Sequence, residues 1–274
     1  MNFSRQWFAL GREADLAVQQ VASGVTALGS ALYSNSGFYI QAFFGLSIGF
    51  ERFAKLAIVA DYCIEHHGAF PTDAYLRTYG HKLDDLFVKC DELSLKYREG
   101  KKYSKRPNDE IHNGIVQTLA EFARATRYYN LDFISGARNS SLPEPIGAWS
   151  HRVGAPILSR HRPANRRERI QAESDALSDA VGDNVVVHFH AEDGSEISNF
   201  AEMSVRATEA MIVQKYGRMY VLQIARWLAY LIHEQSFRGS YQLGVEPLFG
   251  IYERVAVFMH EDNVFRKRKI WPPR

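Results

Sequence analysis

The stretch Gly37–His66, GFYIQAFFGLSIGFERFAKLAIVADYCIEH, decides how the rest of the chain is read. It is apolar on nearly every side, holds no proline and is long enough for about eight helical turns. Such a segment spells a helix buried in the middle of a bundle. Glu51 precedes Lys55 by four residues, the favourable orientation for a pair on one helix face, and Arg52 adds a second cation. Charges in an apolar run are costly unless paired, so an ion pair or a snorkelling edge is expected there. Gly45 and Gly49, also four apart, open a groove in which a neighbouring helix can approach closely. Each glycine costs about 1 kcal/mol relative to alanine, so packing is expected at that groove.

On the amino-terminal side, Ala14, Val18, Val21, Val25, Leu28 and Leu32 fall in steps of three and four, one stripe of a helix over Gly11–Leu32. Tyr33–Gly37 is the turn, and the two helices are expected to form an antiparallel hairpin. On the other side His66-His67-Gly68 ends the central helix and Thr72 is a cap candidate for the next one. Adjacent histidines point in different directions, so no metal site is assigned to them. Asp73–Tyr97 reads as helix with a break at Gly80-His81, burying Leu83, Leu86, Phe87, Cys90 and Leu93. Lys101, Lys102, Tyr103 and Lys105 then mix cations with a flat ring, a mixture that suits phosphates and stacked bases and equally suits a solvated loop. Pro107 fixes φ for a helix start, leaving Arg106 at the cap, and the helix runs to Ser135-Gly136.

These first 136 residues resemble the HEPN superfamily of helical-bundle toxins, defence proteins and RNases. The likeness rests on the hairpin phrase Gly49-Phe50-Glu51-Arg52-Phe53-Ala54-Lys55, on Tyr79-Gly80-His81-Lys82-Leu83-Asp84-Asp85-Leu86, and on Arg106 followed by His112 with five residues between. It implies a metal-independent endoribonuclease, with His112 as general acid/base, Arg106 as phosphate clamp and Asn108 as a polar helper. It also implies a homodimer, since two copies of the motif meet in active members, and a setting in prokaryotic defence or toxin–antitoxin systems. An imidazole near neutral pKa moves a proton at a ribose hydroxyl while a guanidinium holds the phosphate, so these residue types fit that chemistry. Pro107 departs from the pattern, because the position after the arginine is often small or polar in active members.

Beyond Gly136 the texture changes. Arg138–Pro163 is proline-rich with little periodicity and reads as an arm or linker, anchored by Trp149 and His151. Arg160, Arg162, Arg166 and Arg167 form a second basic cluster, whose natural partners are phosphates or carboxylates elsewhere in the chain. Asn184–Ala191 is a strand signal and Glu192-Asp193-Gly194 a hairpin turn. His188 and His190 share a face there, yet no carboxylate or cysteine at set spacing joins them as a metal ligand. Asn199 with Glu202 is a capping box for a long helix Phe200–Gln235. A last helix, Pro247–Met259, precedes a third basic cluster in Phe265–Trp271.

The expected architecture is therefore mainly all-α: a helical bundle over 1–136, an arm with a basic helix and short β-hairpin over 137–198, and carboxy-terminal helices over 199–274 that pack on the first half. Apolar residues make up 46% and aromatics 13%, enough for a core, while a net charge of +2 does not by itself declare a nucleic-acid binder. Cys63 and Cys90 read as reduced core residues. Glu51 and Arg52 interrupt the longest apolar run before it could cross a bilayer, and the start lacks a signal pattern, so a cytoplasmic location without membrane contact is expected. The sequence carries no phosphate-cradling glycine loop, nucleophile elbow or H-E-x-x-H, and no cofactor is assigned. RNA binding by Lys101, Lys102, Tyr103, Lys105, Arg160, Arg162, Arg166 and Arg167, with cleavage at Arg106 and His112, is one expectation. A non-catalytic scaffold that dimerises or docks on a protein partner is the other.

Overall fold

A computed structural model describes residues 3–136, 142–162, 172, 174–176 and 189–272. The chain is mainly all-α, with one short β-hairpin among the described residues. α1 (Arg5–Leu28) and α2 (Gly37–Glu65) form the expected hairpin. Their backbones touch where the glycines fall. A Cβ at Gly45 would meet the Gln20 carbonyl oxygen at 2.9 Å, and one at Gly49 would meet the Val21 amide nitrogen at 2.8 Å. No larger residue fits there, which accounts for glycine inside a helix. The charges in α2 are paired as expected: Lys55 lies 2.9 Å from Glu51, and Arg52 lies 2.6 Å from Glu13 of α1.

α3 (Asp73–Thr78), capped by Thr72, and α4 (Leu83–Arg98) flank Gly80, whose positive φ makes the break. α5 (Glu110–Glu121) starts later than the sequence suggests. Asp109 is its cap, accepting from the His112 amide at 3.1 Å, so Pro107 and Arg106 both lie ahead of the helix. A carboxylate at that position satisfies an amide and suits the helix dipole, which proline cannot do. One widened turn, Phe122–Thr126, leads towards α6 (Tyr129–Ser135).

The expected arm is a correction. Residues 145–161 are helical: α7 (Pro145–Trp149), a widened turn over Ser150–Gly154, and α8 (Ala155–His161). Pro145 sits in the first turn of α7, where a missing N–H costs nothing, and Pro156 directly follows the widened turn Ser150–Gly154, where the helical hydrogen-bond ladder is already altered. Glu144 caps α7 through the Gly147 amide. Trp149, 1% exposed, packs on Phe43 with ring centroids 5.5 Å apart, while His151 is exposed. The segment thus belongs to the bundle.

β1 (Phe189–His190) pairs antiparallel with β2 (Glu196–Ile197). Residues 184–188 of the expected strand, His188 included, lie outside the described residues. α9 (Phe200–Phe237) is capped by Asn199 through the Glu202 amide, as expected, and is the second spine of the fold. Gln235 donates to the Ala57 carbonyl of α2, and the Trp227 indole donates to Ser94 of α4. The expected last helix, Pro247–Met259, is broken at Gly250, where φ is +76°, into a short turn at 246–248 and α10 (Ile251–Val255), and a further helix not expected from the sequence, α11 (Asp262–Lys267), follows it. Trp271, 4% exposed, closes the end against α1, where its amide donates to Thr26. One continuous set of buried side chains runs from Leu10 to Trp271, so the first and last thirds of the chain share a core. No helix among the described residues is long and apolar enough to cross a membrane.

Candidate anion-binding site

The residues singled out by the HEPN likeness have separate partners. Arg106 pairs with Asp91 of α4 at 3.0 Å and lies over the Phe87 ring. His112 is 5% exposed. Its Nδ1 is 2.8 Å from Asp109 Oδ1, its Nε2 is 2.8 Å from the Gln223 side-chain amide, and Tyr220 packs edge-on against the ring. Gln223 in turn donates to Asp262, which faces Arg226 at 2.9 Å. The result is a chain of polar groups tying α5 to α9 and α11. Burial holds the His112 pKa below the ordinary imidazole value, against the opposing pull of Asp109. Asn108 is exposed at the helix approach, and its carbonyl accepts from Asn113. Among the described residues no hydrogen bond, ion pair or ring contact joins Arg106 to His112.

The described cations of the first two basic clusters are largely paired with acids. Lys101 reaches Glu234 at 2.7 Å, and Lys102 and Tyr103 both reach Glu261, at 2.8 and 2.9 Å. The Tyr103 ring is covered by the Arg226 guanidinium at 4.0 Å. Arg160 pairs with Asp109 at 2.5 Å and donates to the Tyr220 hydroxyl, and Arg162 pairs with Glu209. Of these two clusters Lys105 is exposed, while Arg166 and Arg167 lie outside the described residues.

A third group of cations is arranged differently. The end of α1, the middle of α9 and α11 with its tail enclose a cavity of about 620 Å³. Lys215, Arg218, Arg266, Lys267 and Lys269 line it with Gln214 and Asn263, and among the described residues no aspartate or glutamate does. Arg218 is 4% exposed, and its Nε has no hydrogen-bond partner. Burial lowers its pKa, yet a guanidinium stays protonated in proteins. The guanidinium fits because Gly29, the residue that ends α1, has no side chain: a Cβ there would overlap it. The carboxy-terminal dipole of α1 gives partial compensation only.

Tail cations Arg266, Lys267 and Lys269 belong to the third cluster visible in the sequence. Arg218 and Lys215 were not singled out. The available signal is a cation pair, Lys215-Tyr216-Gly217-Arg218, between the apolar runs Ala210–Val213 and Met219–Leu222 of α9. Gly29 is far away in sequence and carries no signal of its own. Among the described residues no three or more His, Cys, Asp or Glu gather as metal ligands. Compared with known families, curated proteins and solved structures, the chain matches no family model, no curated protein and no solved structure.

Proposed function

We propose that the chain is a HEPN-like helical protein that binds RNA through the face formed by α9 and α11. The observation carrying this reading is the concentration of Lys215, Arg266, Lys267 and Lys269 around one concavity that no carboxylate among the described residues lines. Exposed cations without acidic partners release counterions when they meet a phosphate backbone, which drives nucleic-acid binding. Cleavage is left out of the proposal, because His112 is buried with both nitrogens engaged and Arg106 is held by Asp91. Fluorescence anisotropy with a 5′-hydroxyl single-stranded RNA tests the reading. Affinity is expected to fall steeply between low and moderate salt; an affinity indifferent to salt overturns RNA binding. Incubation of the same RNA in EDTA is expected to leave it intact, and cleavage that disappears in His112→Ala would restore the nuclease reading.

A second reading, the self-associating scaffold, has its own observation. In and beside α6, Tyr128, Leu131, Phe133 and Ile134 are each more than 60% exposed, an apolar face on a surface helix. Analytical ultracentrifugation of the chain and of Leu131→Glu/Ile134→Glu tests it. A dimer that the double variant dissociates is the expected result if that face pairs, and a monomer in both cases removes the reading.

A further inference from the structure

The rim of the α9–α11 cavity explains an attraction for polyanions; its floor asks for something more specific. Leaving a guanidinium buried with an unsatisfied N–H is costly. Among the described residues nothing repays that cost: no carboxylate lines the cavity around Arg218, and its Nε meets no acceptor. Cationic side chains accumulate above it, so the missing partner carries several negative charges in a small volume. A single carboxylate would leave most of the lining uncompensated. A planar guanidinium suits the oxygens of a phosphoryl group in bidentate fashion, and lysines act as point charges around it. The cavity volume of about 620 Å³ falls within the range of about 300–1,000 Å³ typical of small-molecule sites.

We propose that this cavity is a receptor for a compact polyphosphate group, with Arg218 as the clamp at its floor and Lys215, Arg266, Lys267 and Lys269 as the charges that surround it. The group reaches the site on a small molecule or as the 5′-triphosphate end of an RNA. The inference rests on the cavity floor and goes beyond the RNA reading, which rests on the rim.

Isothermal titration of the full chain with inorganic tripolyphosphate tests it. One ion is expected to bind per chain, with affinity reduced at least about ten-fold in Arg218→Gln through loss of a charge-assisted contact. Gly29→Ala is the second variant. Its backbone, near φ −70°, accepts alanine, it changes no charge, and its methyl displaces the guanidinium. It is expected to weaken tripolyphosphate binding while the affinity for 5′-hydroxyl RNA stays at the parent value. Absence of saturable tripolyphosphate binding overturns the proposal, as does binding that Gly29→Ala leaves unchanged, whether or not 5′-hydroxyl RNA binds. A 5′-triphosphate RNA that outcompetes the 5′-hydroxyl form, and loses that advantage in Gly29→Ala, identifies an RNA end as the source. Equal affinity for the two RNAs, beside tight tripolyphosphate binding, identifies a small molecule.

Discussion

Two basic regions of this molecule look alike in sequence and behave oppositely in the fold. Around the loop between α4 and α5, Arg98, Lys101, Lys102 and Arg106 are answered by Glu234, Glu261 and Asp91. Around the α9–α11 cavity, Lys215, Arg218, Arg266, Lys267 and Lys269 share a lining with no carboxylate among the described residues. The first region uses positive charge as a fastener between helices, whereas the second keeps it available. What separates them is the placement of acids distant in sequence, which only the packing of helices brings near one cluster and away from the other.

The largest effect that would test this contrast is on stability. Arg98 is 5% exposed, donates to the Lys102 carbonyl at 2.5 Å and reaches the Tyr230 carbonyl at 3.3 Å. Replacement by methionine is expected to cost about 3 kcal/mol by chemical denaturation, since buried acceptors and Glu234 lose their partner. A cost near zero would mean the fastener is idle. His112→Ala comes next, at about 2 kcal/mol, because Asp109 and Gln223 are left with an unmatched contact. A stability equal to the parent would show that the polar chain from α5 to α11 is not holding those helices together.

Binding sharpens the contrast directly. Lys267→Gln/Lys269→Gln is expected to weaken 5′-hydroxyl RNA several-fold and to lower the slope of affinity against salt by about one unit for each phosphate contact removed. Lys101→Gln/Lys102→Gln is expected to leave both nearly unchanged. Equal losses in the two double variants would erase the distinction between the regions.

The smallest expected effect is a pH dependence. Burial is the first cause holding His112, His161 and His233 below the ordinary imidazole pKa. A histidine depressed in the folded state takes up its proton more readily when unfolded, so acidification favours unfolding between the two values. Stability is therefore expected to fall as pH drops through about 6.5, the unfolded value, towards the lower folded values. Urea midpoints measured across that window are expected to decline less in His112→Gln than in the parent. Parallel declines would remove His112 as a contributor.

Much of the architecture was legible from residue order. The α1–α2 hairpin, the glycine groove, the Gly80 break, the Thr72 and Asn199 caps and the mainly helical class follow from periodicity and local chemistry, which act over a few residues. Some local readings fail for local reasons, as at Gly250, whose positive φ breaks the expected last helix. The proline-rich 138–163 stretch reads as an arm or linker, although Pro145 stands in a first turn and Pro156 follows a widened turn, two places where a helix tolerates proline. The start of α5 was placed at Pro107, although Asp109 makes the better cap.

By itself the amino-acid order determined which segments coil, where they stop and which faces seek the core, because those outcomes depend on neighbours three or four residues away. Only the tertiary structure decided which cations are spent on carboxylates and which remain to meet a ligand. Coulombic pairing depends on distance in space, and Arg218 and Gly29 lie far apart along the chain yet in contact across the bundle.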